Sequence, residues 1–346
     1  MLLLILTSGC VETDVKEDLR CQIATSTRLL TEDGATIALH HHAGKGPPVL
    51  LVHGIACNHR FFDLDDDHDL AEWLVNRGWD VWMLDLRGHG DAMIQLNGSP
   101  QVAGWTVDDY GRYDVAAAIG RISGLTGYQR VGYVGHSMGG MVGAIYAQTR
   151  GSDALSSMVI LGSPAAFPEV PDPLMKLAGP SMTLGGSLLR MLDTSSLGAM
   201  AAGMNMNVPA QLDERLYNPE NLPPERAADA FVAITSPLSR QEMLHFARMI
   251  RRERFTSFDG EIDYGAGLSS VMTPTLVIAG EADGVAALPW VRAYHDGLGG
   301  PKDWLLAGKS SGMVADYGHL DLVLGDRAPT EIYPKIADWL QRYPPR

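Results

Sequence analysis

The stretch VGYVGHSMGG, residues 131–140, sets one serine between glycines where a continuous apolar run ends and a helical pattern begins. The run reads as a strand covered on both faces, and the apolar spacing of MVGAIYAQTR (141–150) reads as a helix. A strand that turns at once into a helix leaves Ser137 at a sharp elbow, with its hydroxyl pushed out over the sheet. That turn needs small residues two before and two after the serine, and Gly135, Gly139 and Gly140 supply them. The pattern predicts Ser137 as a nucleophile, which a serine becomes only beside a base, an orienting acid and an oxyanion site.

Two backbone N–H groups must meet the oxyanion formed when serine attacks a carbonyl. Met138, next after the nucleophile, offers one at a helix N-terminus whose dipole adds to it. The second is expected from the loop after an early strand, where VLLVHGIACNH (49–59) has a His53-Gly54 turn with Ile55 next in line.

Outward from the elbow the chain alternates. ATIALHHH (35–42) has the rhythm of an exposed strand and PPVLLVHG (47–54) that of a covered one. LAEWLVNRG (70–78) is an amphipathic helix stopped by Gly78, WDVWMLDLRGHG (79–90) a buried strand leading into a glycine-rich turn, and residues 107–127 a further helix. SSMVILGSP (156–164), TPTLVIAG (273–280) and DWLLAG (303–308) are further strands, and residues 330–343 a last helix. This order implies an α/β fold: a mostly parallel central sheet with crossover helices on its faces. Between residues 165 and 267 the rhythm breaks. Prolines, helical pieces such as SRQEMLHFARMIRRER (239–254), opened by a Ser239–Glu242 capping box, and eight of the chain's sixteen methionines occupy that stretch. It reads as a helical cap or lid (165–267) inserted into a core of residues 31–164 and 268–346. Methionine adapts its shape readily, which suits a flexible apolar substrate, although it also serves as plain core filler.

With these residues in view, the chain resembles the α/β-hydrolase fold with a helical lid. The likeness runs from about Thr31 to Tyr343 and rests on HGIACN, DLRGHG, GHSMGG, LVIAGEADGV and DYGHLDLVLG. DYGHLDLVLG and AEWLVNRGWDVWMLDLRG are similar to the acid lipases, in which HLD carries the catalytic histidine. A looser likeness to polyhydroxyalkanoate synthases stops at the elbow, where those enzymes use cysteine. In this fold the triad runs serine, acid, histidine along the chain. Glu281 and Asp283 both lie in the loop after TLVIAG; the resemblance implies Asp283, three residues beyond the strand-ending glycine. Of the later histidines, His295 falls in a helical stretch and His319 in a glycine-containing loop after the final strand, so His319 is assigned as base. Asp283 would hold its tautomer and stabilise the imidazolium.

Composition bounds the alternatives. With 46% hydrophobic and 20% charged residues, 346 residues suffice for a large core with an insertion. A net charge of −14 argues against nucleic acid or an anionic bilayer as the main partner; the one basic run, RMIRRER (248–254), has helical spacing and reads as a solvated face. Cys10, Cys21 and Cys57 form neither a disulfide framework nor a zinc pattern. The acids of DLDDDHD (63–69) alternate like a calcium loop, but His68 replaces the needed glycine and Leu74 the bidentate glutamate, so they are read as favouring the start of the next helix. His40, His41 and His42 alternate faces on a strand and are read as surface residues, and Asp85 with Arg87 as a turn-stabilising pair. No metal or cofactor is expected. MLLLILTSGC (1–10) is too short and lacks the basic start for a signal or membrane span, yet LTSGC resembles a bacterial lipoprotein box with Cys10 lipidated. Residues 1–30 are then a tether, and the protein either an envelope lipoprotein, joined to a membrane only there, or cytoplasmic.

The reading is a serine carboxylic ester hydrolase acting on a small apolar ester through an acyl-enzyme. An acyltransferase with the same triad, or a non-catalytic ligand-binding protein on this fold, are the other readings.

Overall fold

The computed structural model describes residues 25–65, 69–93, 104–167 and 215–346, together with three two-residue strands at 95–96, 99–100 and 191–192. Eight strands form one sheet. They are β1 (Thr25–Leu30), β2 (Thr36–His42), β3 (Pro48–Val52), β4 (Asp80–Asp85), β5 (Val131–His136), β6 (Leu155–Leu161), β7 (Thr275–Gly280) and β8 (Lys302–Ala307). Their spatial order is β1-β2-β4-β3-β5-β6-β7-β8. β1 and β2 pair antiparallel, as do β2 and β4, and every later neighbour pair is parallel. The expected α/β-hydrolase architecture is therefore present. The β3/β5 centre is where the strand order turns, so loops at the carboxyl ends of β3 and β5 open side by side.

Two expectations at the first edge change. Thr25–Leu30 lies within the stretch read as tether but pairs along its whole length with β2. β2 itself is not an exposed strand: Ile37, Ala38, Leu39 and His40 are all buried, because neighbours flank it on both sides.

The central strands are apolar throughout because helices cover both faces. Over one face lie Ala116–Thr126 (α2) and Met138–Thr149 (α3), with Leu50, Val52, Tyr133 and Ile160 in the same core; over the other lie Leu70–Val75 (α1) and the final helix, Tyr333–Arg342, with Val49, Leu51, Val134 and Leu161. Asp69 caps α1 by accepting from Glu72 N–H at 2.7 Å, which is the helix-start role expected of that acidic run; residues 66–68 lie outside the described set.

Within residues 165–267, Pro224–Ile234 (α4) and Arg240–Arg252 (α5) are helices, the second of them at the stretch read as helical. Ser239 and Glu242 form the capping box. Met243 and Met249 are buried core filler, while Met175, Met182, Met200, Met204 and Met206 lie outside the described residues. The basic run does more than face solvent. Arg248 stacks on Phe258 and donates to its carbonyl, Arg252 donates to the carbonyls of Ser257 and Asp259, and Arg254 pairs with Asp263. Cys10 and Cys21 lie outside the described residues, and no described helix is long and apolar enough to cross a membrane.

Candidate active site

The elbow forms where β5 ends. Ser137 has φ 52° and ψ −118°, a conformation that L-residues rarely adopt and that persists only when its surroundings enforce it. Those surroundings are visible. Ser137 N–H donates to Leu161 O at 2.8 Å, tying the elbow to the end of β6. Gly139 packs so closely beneath β3 that a Cβ there would lie 2.1 Å from Val52 O, and one on Gly135 would meet the Gly139 backbone at 2.7 Å. The glycine requirement read from the sequence is thus one of close backbone approach. Met138 opens α3, so its N–H is among those the helix itself leaves without an acceptor.

The loop after β3 lies against the same serine. A Cβ on Gly54 would sit 3.1 Å from Ser137 Cβ, which places His53-Gly54-Ile55 beside the hydroxyl. His53 fixes this turn from below. Its Nδ1–H donates to Gly54 O at 2.8 Å, while Nε2 accepts from Leu86 N–H at 3.3 Å. Full burial pushes its pKa down to about 3, so the ring stays neutral and can do both. Ala56, just beyond, is a second non-glycine residue with positive φ, 55°.

Asp283 and His319 are brought together. His319 Nδ1 donates to Asp283 Oδ2 at 2.8 Å, with the Asp283 side chain fully buried and that of His319 nearly so. Asp283 Oδ1 accepts from Val285 and Ala286 N–H, each at 2.8 Å, so both carboxylate oxygens have assigned partners. Glu281, the competing acid, bonds instead to Ser310 N–H and Oγ. His295 bonds to Asp296 on its own helix. The Asp283–His319 pair rests on the turn after β6: a Cβ on Gly162 would lie 3.2 Å from Asp283 Oδ2 and from His319 Nδ1. The residue before Ser137 completes the connection. His136 Nε2–H donates to His319 O at 3.0 Å, so the histidine loop is bonded to the elbow itself. Sequence reasoning gave His136 no role; nothing local shows a bond across 183 residues.

Several polar residues take other roles than expected. Asp85 and Arg87 do not pair with each other. Arg87 binds Asp114 at 2.7 Å and Asp33 at 2.6 Å. Asp85 accepts from His40 Nε2, His59 Nδ1, His59 N–H and Asp91 N–H. Burial alone would raise its pKa, but the His40 and His59 hydrogen bonds outweigh it and hold the carboxyl far below the usual range. The three consecutive histidines reach three separate carboxylates: His40 Asp85, His41 Asp80 and His42 Asp63. His40 is buried rather than on the surface, because β2 lies inside the sheet. His40, His59 and Asp85 are the one described group of three whose donor atoms could share a metal ion, and those atoms are already bonded to one another.

The model of the alpha/beta hydrolase fold family matches residues 47–324. The chain belongs to that family. Among curated relatives, human "Lipase member K" is 25% identical over 325 residues, covering 86% of this chain and 80% of its own. Human "Lysosomal acid lipase/cholesteryl ester hydrolase" is also 25% identical, over 90% of this chain and 86% of its own. Among solved structures, a thermophilic esterase from Thermogutta terrifontis aligns with a TM-score of 0.64 at 21% identity, over 92% of this chain and 99% of that one. The likeness to the acid lipases drawn from DYGHLDLVLG therefore extends across most of the chain, and the chain is an enzyme of the lipase and esterase type.

Proposed function

We propose that the protein hydrolyses carboxylic esters through an acyl-enzyme on Ser137. His319 takes the serine proton and returns it to the leaving alcohol, Asp283 holds the imidazole with its proton on Nδ1, and the N–H groups of Ile55 and Met138 receive the oxyanion. The observation that carries this reading is the buried 2.8 Å bond from His319 Nδ1 to Asp283, with His319 O accepting from His136, the residue before the strained serine. It supports a base whose Nε2 is free to face the hydroxyl. The relatives' names, lipase and cholesteryl ester hydrolase, favour an apolar ester as substrate, with residues 165–267 acting as its cap. The lipoprotein reading places a lipid on Cys10, and intact mass of the protein from its native host separates a diacylated Cys10 from an unprocessed Met1.

The test of the reaction is Ser137→Ala with p-nitrophenyl esters of graded chain length. Turnover is expected to fall at least a thousandfold with folding intact, and intact mass after a rapid quench should show one acyl group on the wild type and none on the variant. Undiminished turnover in the variant removes the serine assignment. Adding a competing alcohol distinguishes hydrolysis from acyl transfer by product.

A further inference from the structure

Close to the oxyanion loop, three buried polar atoms, His89 Nε2, Tyr110 Oη and Glu242 Oε1, interact with one another but make no hydrogen bond of normal length. All three residues are essentially inaccessible to solvent. Buried polar atoms are nearly always satisfied, so three together call for an explanation. They come from different parts of the chain: His89 from the turn after β4, Tyr110 from the π-helical stretch Tyr110–Val115, and Glu242 from the first turn of α5 in the insertion. His89 Nε2 lies 3.6 Å from Glu242 Oε1, within ion-pair range but beyond a hydrogen bond. Burial disfavours a charged His89, yet the Glu242 carboxylate outweighs it and raises the imidazole pKa. Burial and the same carboxylate hold the Tyr110 phenol well above its usual range.

The contacts around this cluster lead to the oxyanion loop. Just before α5, Ser236 N–H donates to Ala56 O at 2.7 Å, and Ser236 Oγ accepts from Gly90 N–H at 3.0 Å and from Asn58 Nδ2 at 3.4 Å. The insertion is thus stitched to both the 53–59 loop and the 86–92 turn, and one turn later Glu242 faces His89. The His89 ring lies 5.2 Å from that of His53, which holds Gly54 O. Cys57, on the same loop, senses Glu242 as well: its thiol pKa is pushed up to about 12 by burial and then by that carboxylate.

We propose that Glu242, acting through His89 with Tyr110 beside it, is a positioning residue by which the insertion holds the oxyanion loop, so that the Ile55 N–H is in place only when the insertion is docked. The carboxylate supplies the acceptor that His89 Nε2–H needs, and closing the 3.6 Å gap draws α5 onto the 86–92 turn. The insertion then completes the reactive site besides covering it. This inference rests on the reaction proposed above.

The test compares Glu242→Ala, Glu242→Gln, Tyr110→Phe and Arg248→Ala with wild type on p-nitrophenyl butyrate, alongside thermal melting. Glu242→Ala is expected to lower kcat roughly tenfold to a hundredfold, the scale of a misplaced oxyanion donor, with KM within about twofold. Glu242→Gln should recover most of the loss, since its amide can donate to His89 Nε2 while His89 Nδ1–H keeps its 3.1 Å bond to Arg87 O. Tyr110→Phe should fall between the two. Arg248→Ala loosens the far half of α5, where Arg248 stacks on Phe258 and donates to its carbonyl, without touching Glu242, so it should lower the melting temperature and leave kcat alone. If Glu242→Ala merely melts earlier, or raises KM at unchanged kcat, the proposal is overturned. Should Glu242→Ala fail to fold, Tyr110→Phe at wild-type kcat overturns it equally. An inactive Ser137→Ala beside a fully active Glu242→Ala would refute this inference alone, whereas an active Ser137→Ala would refute the reaction.

Discussion

Asp283→Asn should abolish most activity while leaving the fold in place, and the geometry says why. Oδ1 accepts from Val285 and Ala286 N–H, so the asparagine must put its carbonyl there and turn its amide group toward His319. A donor now faces Nδ1, which must give up its proton; the proton moves to Nε2, the nitrogen that should accept from Ser137. The variant thereby selects the wrong tautomer. In the proposed reaction it also removes a charge from beside the imidazolium of the transition state. The bond is 2.8 Å long, giving charge centres about 4 Å apart; at an effective dielectric of about 20 that interaction is worth about 4 kcal/mol, or roughly a thousandfold in rate. Tautomer reversal adds to this, so a loss of roughly a thousandfold to ten-thousandfold in kcat is expected, the scale seen for this substitution in serine proteases. The assay is steady-state hydrolysis of p-nitrophenyl butyrate, with Glu281→Gln as the control that should stay within about twofold because Glu281 bonds to Ser310. Asp283→Asn within tenfold of wild type, or Glu281→Gln as the more damaged of the two, refutes the reasoning.

Two further predictions concern stability. Burial and the neighbouring Asp63 raise the Asp69 pKa to about 8, against about 3.9 when unfolded. Between those values the unfolded chain has lost a proton that the folded one keeps, so the group lowers stability as pH rises from about 4 to 8. Asp69→Asn keeps an N-cap acceptor and removes the titration; it should raise the melting temperature by a few degrees at pH 8.5 and leave it unchanged at pH 4, and a gain equal at both would contradict the assignment. Asp85 behaves oppositely, its folded pKa being depressed, so its contribution is present above about pH 4 and is lost as pH falls. Asp85→Ala strands the N–H groups of His59 and Asp91 and the donor nitrogens of His40 and His59, and should cost about 3–5 kcal/mol at pH 7 in chemical denaturation; a loss below about 1 kcal/mol would show that the hub bears little of the fold.

What could be read from the sequence divides along the distance over which each feature is determined. The elbow was legible because strand, serine, glycines and helix are neighbours in the chain, and the capping box at Ser239 for the same reason. His319 was separable from His295 by its local loop. Asp283 was not separable from Glu281 by local pattern, since both follow the same strand; the acid lipase likeness chose it. In the structure the difference is that the Asp283 side chain is short enough to bond the amides two and three residues ahead, which fixes it toward the sheet edge, while the longer Glu281 reaches away to Ser310.

The histidines show where sequence reasoning stopped. His40 finds Asp85 across 45 residues, His136 finds His319 across 183, and His89 faces Glu242 from another part of the chain. Each pairing is dictated by which strand lies beside which, and the order β2-β4-β3-β5 puts residues far apart in sequence at one sheet end. An alternating strand such as β2 therefore looked solvent-facing until β1 and β4 were placed beside it. A fully buried His53 illustrates the consequence for chemistry. With its pKa pushed to about 3, its ring cannot serve as a base near neutral pH, and it instead bonds two backbone groups at once. Bonding rather than burial separates it from His319, which is nearly as buried: His319 has a carboxylate on Nδ1, whereas both ring nitrogens of His53 are taken by backbone groups.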